Sequence, residues 1–266
     1  MRLISIALLS LVSALCAAAQ TPTITEGGVL NGASFAKGQA VSPGELVSIF
    51  GTDLASSTAQ ADSVPLSTTL ANVNVSFNGV AAPLLYVSPT QINAQMPWDA
   101  LPSGINAGVA DVVVTRAGVK SAAQMVQVRP SAPGIFSIPP GAGYAIAINA
   151  DGSVAAPPGA IPGIATRPAK VGDVIMILAT GLGPVDSPIS NGAASSDKLR
   201  RTTTTPVVLI GGQPAQVLFS GLSPQFTGVN QVNVVVPDVT AGDKLPLQMQ
   251  MDGVTTTDQV VIAVTR

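Results

Sequence analysis

Histidine is missing from this 266-residue chain, and cysteine occurs once. Without histidine there is no Ser-His-Asp triad, no Cys-His pair and no His-ligated zinc or haem. One cysteine makes neither an intrachain disulfide nor a Cys-only metal cluster. Charged residues are 10% of the chain, where an ordinary soluble protein has roughly 25%. Twelve basic residues and a net charge of −2 argue against a nucleic-acid or anionic-membrane surface. Aromatics are 3%, too few for the two girdles of an outer-membrane barrel. Beyond the N-terminus there is neither helical periodicity nor an apolar run near the ~20 residues of a spanning helix.

What is abundant is aliphatic and turn-forming. Hydrophobic residues are 47%, with 26 Gly and 22 Pro, and the mean hydropathy is +0.47. Part of that apolarity sits at the start. Arg2 precedes an apolar stretch that ends in Ala17-Ala18-Ala19, the pattern of a secretory signal peptide cut after Ala19. A membrane anchor fits less well, because the run is short and has no stop-transfer flank. Acylation of Cys16 fits poorly, because Leu15 stands where lipoprotein sites carry a small residue. With residues 1–19 removed, Cys16 goes too. The exported chain is then thiol-free and must cohere by burial and hydrogen bonding alone.

The remainder reads as strands. Glu45–Phe50, Val73–Phe77, Asp111–Thr115 and Val260–Val264 are short β-branched runs, several alternating apolar with polar. Asn78-Gly79, Asp151-Gly152, Gly211-Gly212 and Asp252-Gly253 supply tight hairpin turns. These features predict an all-β chain. An internal repeat sharpens the prediction. Pro43–Leu54 aligns with Val171–Leu182. Val75–Tyr86 aligns with a stretch that opens on Leu209 and runs through Gly211-Gly212 to Phe219. Ser88-Pro89 matches Ser223-Pro224, Gln91–Pro97 matches Gln231–Pro237, and Arg116–Val119 matches Met251–Val254. Five blocks in one order predict two tandem immunoglobulin-like β-sandwich domains, residues 20–130 and 131–266, after a signal peptide of residues 1–19. The boundary is placed in Arg129–Gly134, a Pro/Gly segment unsuited to a sheet. A second Pro-rich segment, 155–169, is expected to wrap a sheet edge. Val47 and Ile49 should face the core, with Ile175 and Ile177 as their counterparts.

Gly44–Leu54 is similar to the first strand pair of IPT/TIG immunoglobulin-like domains. A longer set of strings resembles a family of exported proteins expanded in soil Acidobacteria of the Solibacter type. Those strings are Gly28–Phe35, Val41–Gly51, Ala82–Asn93, Pro97-Trp98, Ala132–Phe136, Ala179–Val185 and Gln231–Val234. In that family the unit stands alone behind a signal peptide or ends a larger exported protein. The resemblance implies export and the tandem fold. It names no catalytic residue, so none carries over.

Candidate chemistry is thin. The 14 carboxylates are scattered singly, and Glu45 and Asp173 share a repeat position where a structural role at a strand start is the better reading. Asn149–Ser153 resembles part of a calcium loop but lacks the further acids that such a loop needs, and a hairpin turn explains it. Lys198, Arg200 and Arg201 read as a solvated loop. Gly181–Pro184 reads as a turn, since it has no P-loop lysine. Trp98 and Tyr86 are the candidate ligand contacts, with Trp98 also read as packing over the end of the first domain. No cofactor or metal is expected. The sequence therefore points to a non-enzymatic exported adhesion or scaffold protein at the cell surface, in the extracellular space or in the periplasm, with a protein or polysaccharide partner. The alternatives are a carbohydrate-binding accessory module and, less favoured, a glycoside hydrolase using carboxylates alone.

Overall fold

β-branched runs broken by positive-φ turns build a computed structural model that describes residues 20–105, 107–256 and 259–266. The expected signal peptide, residues 1–19, lies outside the described residues. Ten strands come first: β1 (Thr23–Asn31), β2 (Leu46–Thr52), β3 (Ala59–Gln60), β4 (Val73–Phe77), β5 (Val80–Ala82), β6 (Leu84–Val87), β7 (Gln91–Gln95), β8 (Gly108–Arg116), β9 (Val119–Lys120) and β10 (Gln124–Val128). Fourteen follow: β11 (Gly134–Ile135), β12 (Ser137–Ile138), β13 (Ala142–Ala145), β14 (Ala147–Ile148), β15 (Val154–Ala155), β16 (Thr166–Arg167), β17 (Ala169–Lys170), β18 (Val174–Thr180), β19 (Val207–Ile210), β20 (Gln213–Leu222), β21 (Asn230–Val235), β22 (Gly242–Met251), β23 (Val254–Thr255) and β24 (Gln259–Thr265). Among the described residues there is no helix, hence none long and apolar enough to cross a membrane.

The first half packs the sheet β1-β2-β7-β6-β3 against the sheet β10-β8-β4-β5. The second half repeats the plan, with β18, β21, β19, β22 and β24 in the places of β2, β7, β4, β8 and β10. Each half encloses its own aliphatic core, one drawn from residues 24–128 and the other from 135–264. Paired antiparallel sheets around one core make each half an immunoglobulin-like sandwich. Val47, Ile49, Ile175 and Ile177 are fully buried, as the alternation predicts.

The correspondence reaches fine detail. The turns Asn78-Gly79, Ala117-Gly118, Gly211-Gly212 and Asp252-Gly253 carry positive φ at both residues, the form whose twist suits a two-residue hairpin. A bulge sits at Leu85 in one half and at Leu218 in the other. Gln91 Nε2 donates to Asn93 Oδ1 at 2.8 Å, and Gln231 Nε2 donates to Asn233 Oδ1 at 3.0 Å.

Three sequence expectations need correction. The structural partner of Val75 is Val208, not Leu209: Val75 pairs with Ala82 and Val208 with Ala215. The slip matters, because one residue reverses the face of a strand, and Val208 is buried whereas Leu209 is half-exposed. Gly134 already pairs with Thr180, so the sheet-free segment ends at Pro133. Arg200 is not solvated; its guanidinium is buried and staples the 186–201 loop through Asp197 at 2.6 Å, Ser195 Oγ at 3.1 Å and the Pro188 carbonyl at 3.0 Å. The Pro-rich 155–169 segment does follow a sandwich edge, from β15 across to β17, which runs parallel to β24.

One difference between the halves has a visible cause. Pro83 separates β5 from β6 and has no N–H for a ladder. Its counterpart Gln216 pairs with Val235, so β20 continues from one sheet into the other.

Candidate functional site

The two sandwiches meet end to end across Arg129–Pro133, through hydrogen bonds far apart in sequence. Thr180 Oγ1 accepts from the Leu46 N–H at 2.9 Å and donates to the Gly228 carbonyl at 2.6 Å. Asn31 Nδ2 donates to the Ala132 carbonyl at 2.9 Å, and Ser42 Oγ to the Pro130 carbonyl at 3.0 Å. A loop of the second half also grips the first: the Gly192 N–H donates to Gln95 Oε1 at 2.6 Å, and its carbonyl accepts from the Leu66 N–H at 2.8 Å. Gly181, read from sequence as a simple turn, is where the linker comes closest. A Cβ there would collide with the Ala132 carbonyl and with the Glu45 carboxylate.

Glu45 is enclosed in this junction at 1% exposure. Asn31 Nδ2 donates to its Oε2 at 3.4 Å, while Oε1 has no hydrogen-bond partner. Burial pushes its carboxyl well above the ordinary glutamate range, against weaker opposing hydrogen bonds from the Ser42 backbone and Asn31. Among the described residues its side-chain hydrogen-bond partner is Asn31 and it forms no ion pair, so its place in the junction is structural.

Beside the linker lies a groove of about 380 Å³. Trp98, Pro43, Pro130 and Pro184 line it, and the 101–105 loop closes the far side, with Ile105 half exposed. First repeat, linker and second repeat each contribute, so the groove exists only because the halves are docked. Trp98 lies over Gly44, whose missing side chain makes the approach possible: a Cβ at Gly44 would come within 2.2 Å of the indole ring. The Trp98 N–H of the backbone donates to Asn191 Oδ1 at 2.9 Å, and Asn191 Nδ2 donates to Asp99 Oδ1 at 2.8 Å. The indole Nε1 is buried without a partner. Trp98 thus both packs over the end of the first sandwich and borders the groove. Tyr86 is half-buried on β6, paired with Gln60 of β3, and does not line the groove. The structure does not bring the two predicted contacts to one site. Pro43, Pro130, Pro184 and Asp99 were missed from sequence. Asp99 and Pro130 had only their adjacency to Trp98 and to the boundary as a signal, and Pro43 and Pro184 had none.

Other sequence candidates resolve structurally. Asp151 Oδ1 accepts from Ser153 N and Oγ at 3.0 and 2.6 Å, and Oδ2 pairs with Arg167 Nε at 2.5 Å. Arg167 and Ser153 hold this carboxyl well below its usual range. Its oxygens are committed to a turn. Among the described residues no three acids cluster as metal ligands.

No protein-family model matches the chain, and no curated protein matches it. Solved structures do. The plexin A4 extracellular region aligns at 16% identity and TM-score 0.29, covering 95% of this chain and 19% of plexin. The Bacteroides ovatus SGBP-B of a mixed-linkage glucan utilization locus, in complex with a heptasaccharide, aligns at 17% and 0.34, covering 92% of this chain and 46% of its own. The Prevotella bryantii surface glycan-binding protein aligns at 13% and 0.28, covering 89% and 41%. The chain thus spans less than half of each, and fold and function rest on its own residues.

Proposed function

We propose that the protein is exported after cleavage of residues 1–19 and serves at the cell surface or beyond as a non-enzymatic adhesion or scaffold module, in keeping with its resemblance to the acidobacterial exported family. The observation that carries this reading is the groove at the junction. Two sandwiches are locked by buried hydrogen bonds, and the docking exposes part of the single Trp against three prolines. Part of the Trp98 side chain stays open toward the groove, an apolar surface beside Asp99 that a partner would cover. Neither groove nor linker offers paired carboxylates: Asp99 is the one acid lining the groove, and two-carboxylate hydrolysis needs a second.

The test is capture from native cell envelope and matrix by purified residues 20–266. Trp98→Ala should abolish capture while leaving the fold intact by circular dichroism. Hydrolysis of a bound polymer, lost on one acid-to-amide exchange, would overturn the non-enzymatic reading.

A second reading, carbohydrate binding, is favoured by Asp99 beside Trp98. Its Oδ2 has no partner among the described residues and could accept from sugar hydroxyls while the indole meets the ring. Here Trp98→Ala should remove glycan binding and Tyr86→Ala should leave it unchanged. Equal losses from both substitutions would contradict a site at the groove.

A further inference from the structure

The linker divides two clefts of opposite character. Pro130 lines the Trp98 groove, whereas its neighbour Arg129 lines a separate polar cleft of about 160 Å³ between the first repeat, the linker and the β23 strand. Ser34, Gln39, Gln127, Ser131 and Thr255 contribute hydroxyls and amides, and no aromatic or carboxylate is present. Arg129 is the one charged residue of the lining.

The state of Arg129 sets it apart. Of the arginines in the described residues, Arg116, Arg167, Arg200 and Arg266 are paired with carboxylates. Arg201 lies 5.0 Å over the Phe219 ring. Arg129 alone has neither, although its backbone is fixed: its N–H donates to the Val41 carbonyl at 3.0 Å. The floor is also fixed. Asn31 is 3% exposed and Ser131 1%. Asn31 Oδ1 accepts from the Ala33 and Ser34 N–H groups at 3.0 Å. Ser131 Oγ donates to the Met251 carbonyl at 3.4 Å.

A guanidinium without a partner, on a rigid backbone beside hydroxyls and amides, matches a planar carboxylate in two-pronged fashion. The amides and hydroxyls match ring hydroxyls. We infer that the polar cleft is a binding site for a carboxylated sugar of the uronic-acid class, separate from the Trp98 groove. Glu45 sits behind Asn31, sealed from the cleft at 1% exposure.

The probes are galacturonate di- and trisaccharides, their methyl esters, and short peptides with a free C-terminus, titrated calorimetrically into residues 20–266 at neutral pH. The free uronates should bind, the esters at least tenfold more weakly, and added salt should weaken the uronates only. Arg129→Gln should lower affinity at least tenfold and Arg129→Lys less. Trp98→Ala should change nothing, which separates this site from the groove. Circular dichroism checks that each variant folds. Binding that survives Arg129→Gln, equal binding of ester and acid, tighter binding of the peptides, or no binding of any uronate would each overturn the inference.

Discussion

Glu45 and Asp173 open equivalent strands in the two repeats, yet one is sealed and the other wet. Glu45 is 1% exposed inside the junction, whereas the Asp173 side chain is 42% exposed and faces Arg167 at 3.9 Å. The residues after them follow suit: Leu46 is 8% exposed and Val174 44%. The same strand has been used in two ways. In β2 the inner face meets its own core, and at the start of the outer face Leu46 meets the second repeat at Gly228 and Thr180. In β18 the outer face stays open until Thr180, the residue that hydrogen-bonds to the first repeat. The two copies of this strand part ways where the halves touch.

The strongest way to break this comparison is at the turn glycines. Gly44 and Gly172 both have positive φ, at +82° and +88°, but only Gly44 has a ring over it; nothing lies within 4 Å of a Cβ at Gly172. Left-handed backbone costs a side chain about 1–2 kcal/mol, and overpacking adds about 1–3 kcal/mol. Gly172→Ala should therefore lose about 1–2 kcal/mol and Gly44→Ala about 2–5 kcal/mol, read by denaturant unfolding. Equal losses would mean that Trp98 has room to move.

Next come the threonines. Thr180→Val leaves the Leu46 N–H and the Gly228 carbonyl unpaired in a buried site and should cost about 1–3 kcal/mol. Thr52, its exposed counterpart, should tolerate valine within about 0.5 kcal/mol.

The smallest effect is a pH dependence. The folded state retains a proton on Glu45 that the unfolded chain releases above about 4.5. Stability therefore falls as pH rises through the folded value. Glu45→Gln should match the parent near pH 4 and exceed it at pH 8, measured by urea midpoints. Asp173→Asn should stay within about 0.5 kcal/mol at both. A constant gap for Glu45→Gln would show that the carboxyl is not protonated in the fold.

Much of this was legible in sequence, and the reasons are local. Val47, Ile49, Ile175 and Ile177 declare their faces by period two, and Asn78-Gly79 or Asp252-Gly253 declare their turns by φ preference. Repetition then gave the topology. The junction was not legible, because its chemistry joins residues such as Leu46 and Thr180 that nothing in the intervening chain links. Gly181 looked like a turn and is a point of close approach. Arg200 looked solvated because its neighbours are Ser, Thr and Asp, yet Ser195 and Asp197 are among the groups that hold its guanidinium. The Leu209 slip arose because Val207–Ile210 is apolar throughout and shows no alternation.

The single Trp lies at the junction, so its emission reports the junction alone while far-ultraviolet circular dichroism reports both sandwiches. Denaturant unfolding followed by both signals tests most directly whether the docked pair is one unit that maintains the groove. The account predicts coincident midpoints, with Thr180→Val shifting both. A red shift of Trp98 emission well below the loss of β signal would show that the halves separate while still folded, and would contradict it.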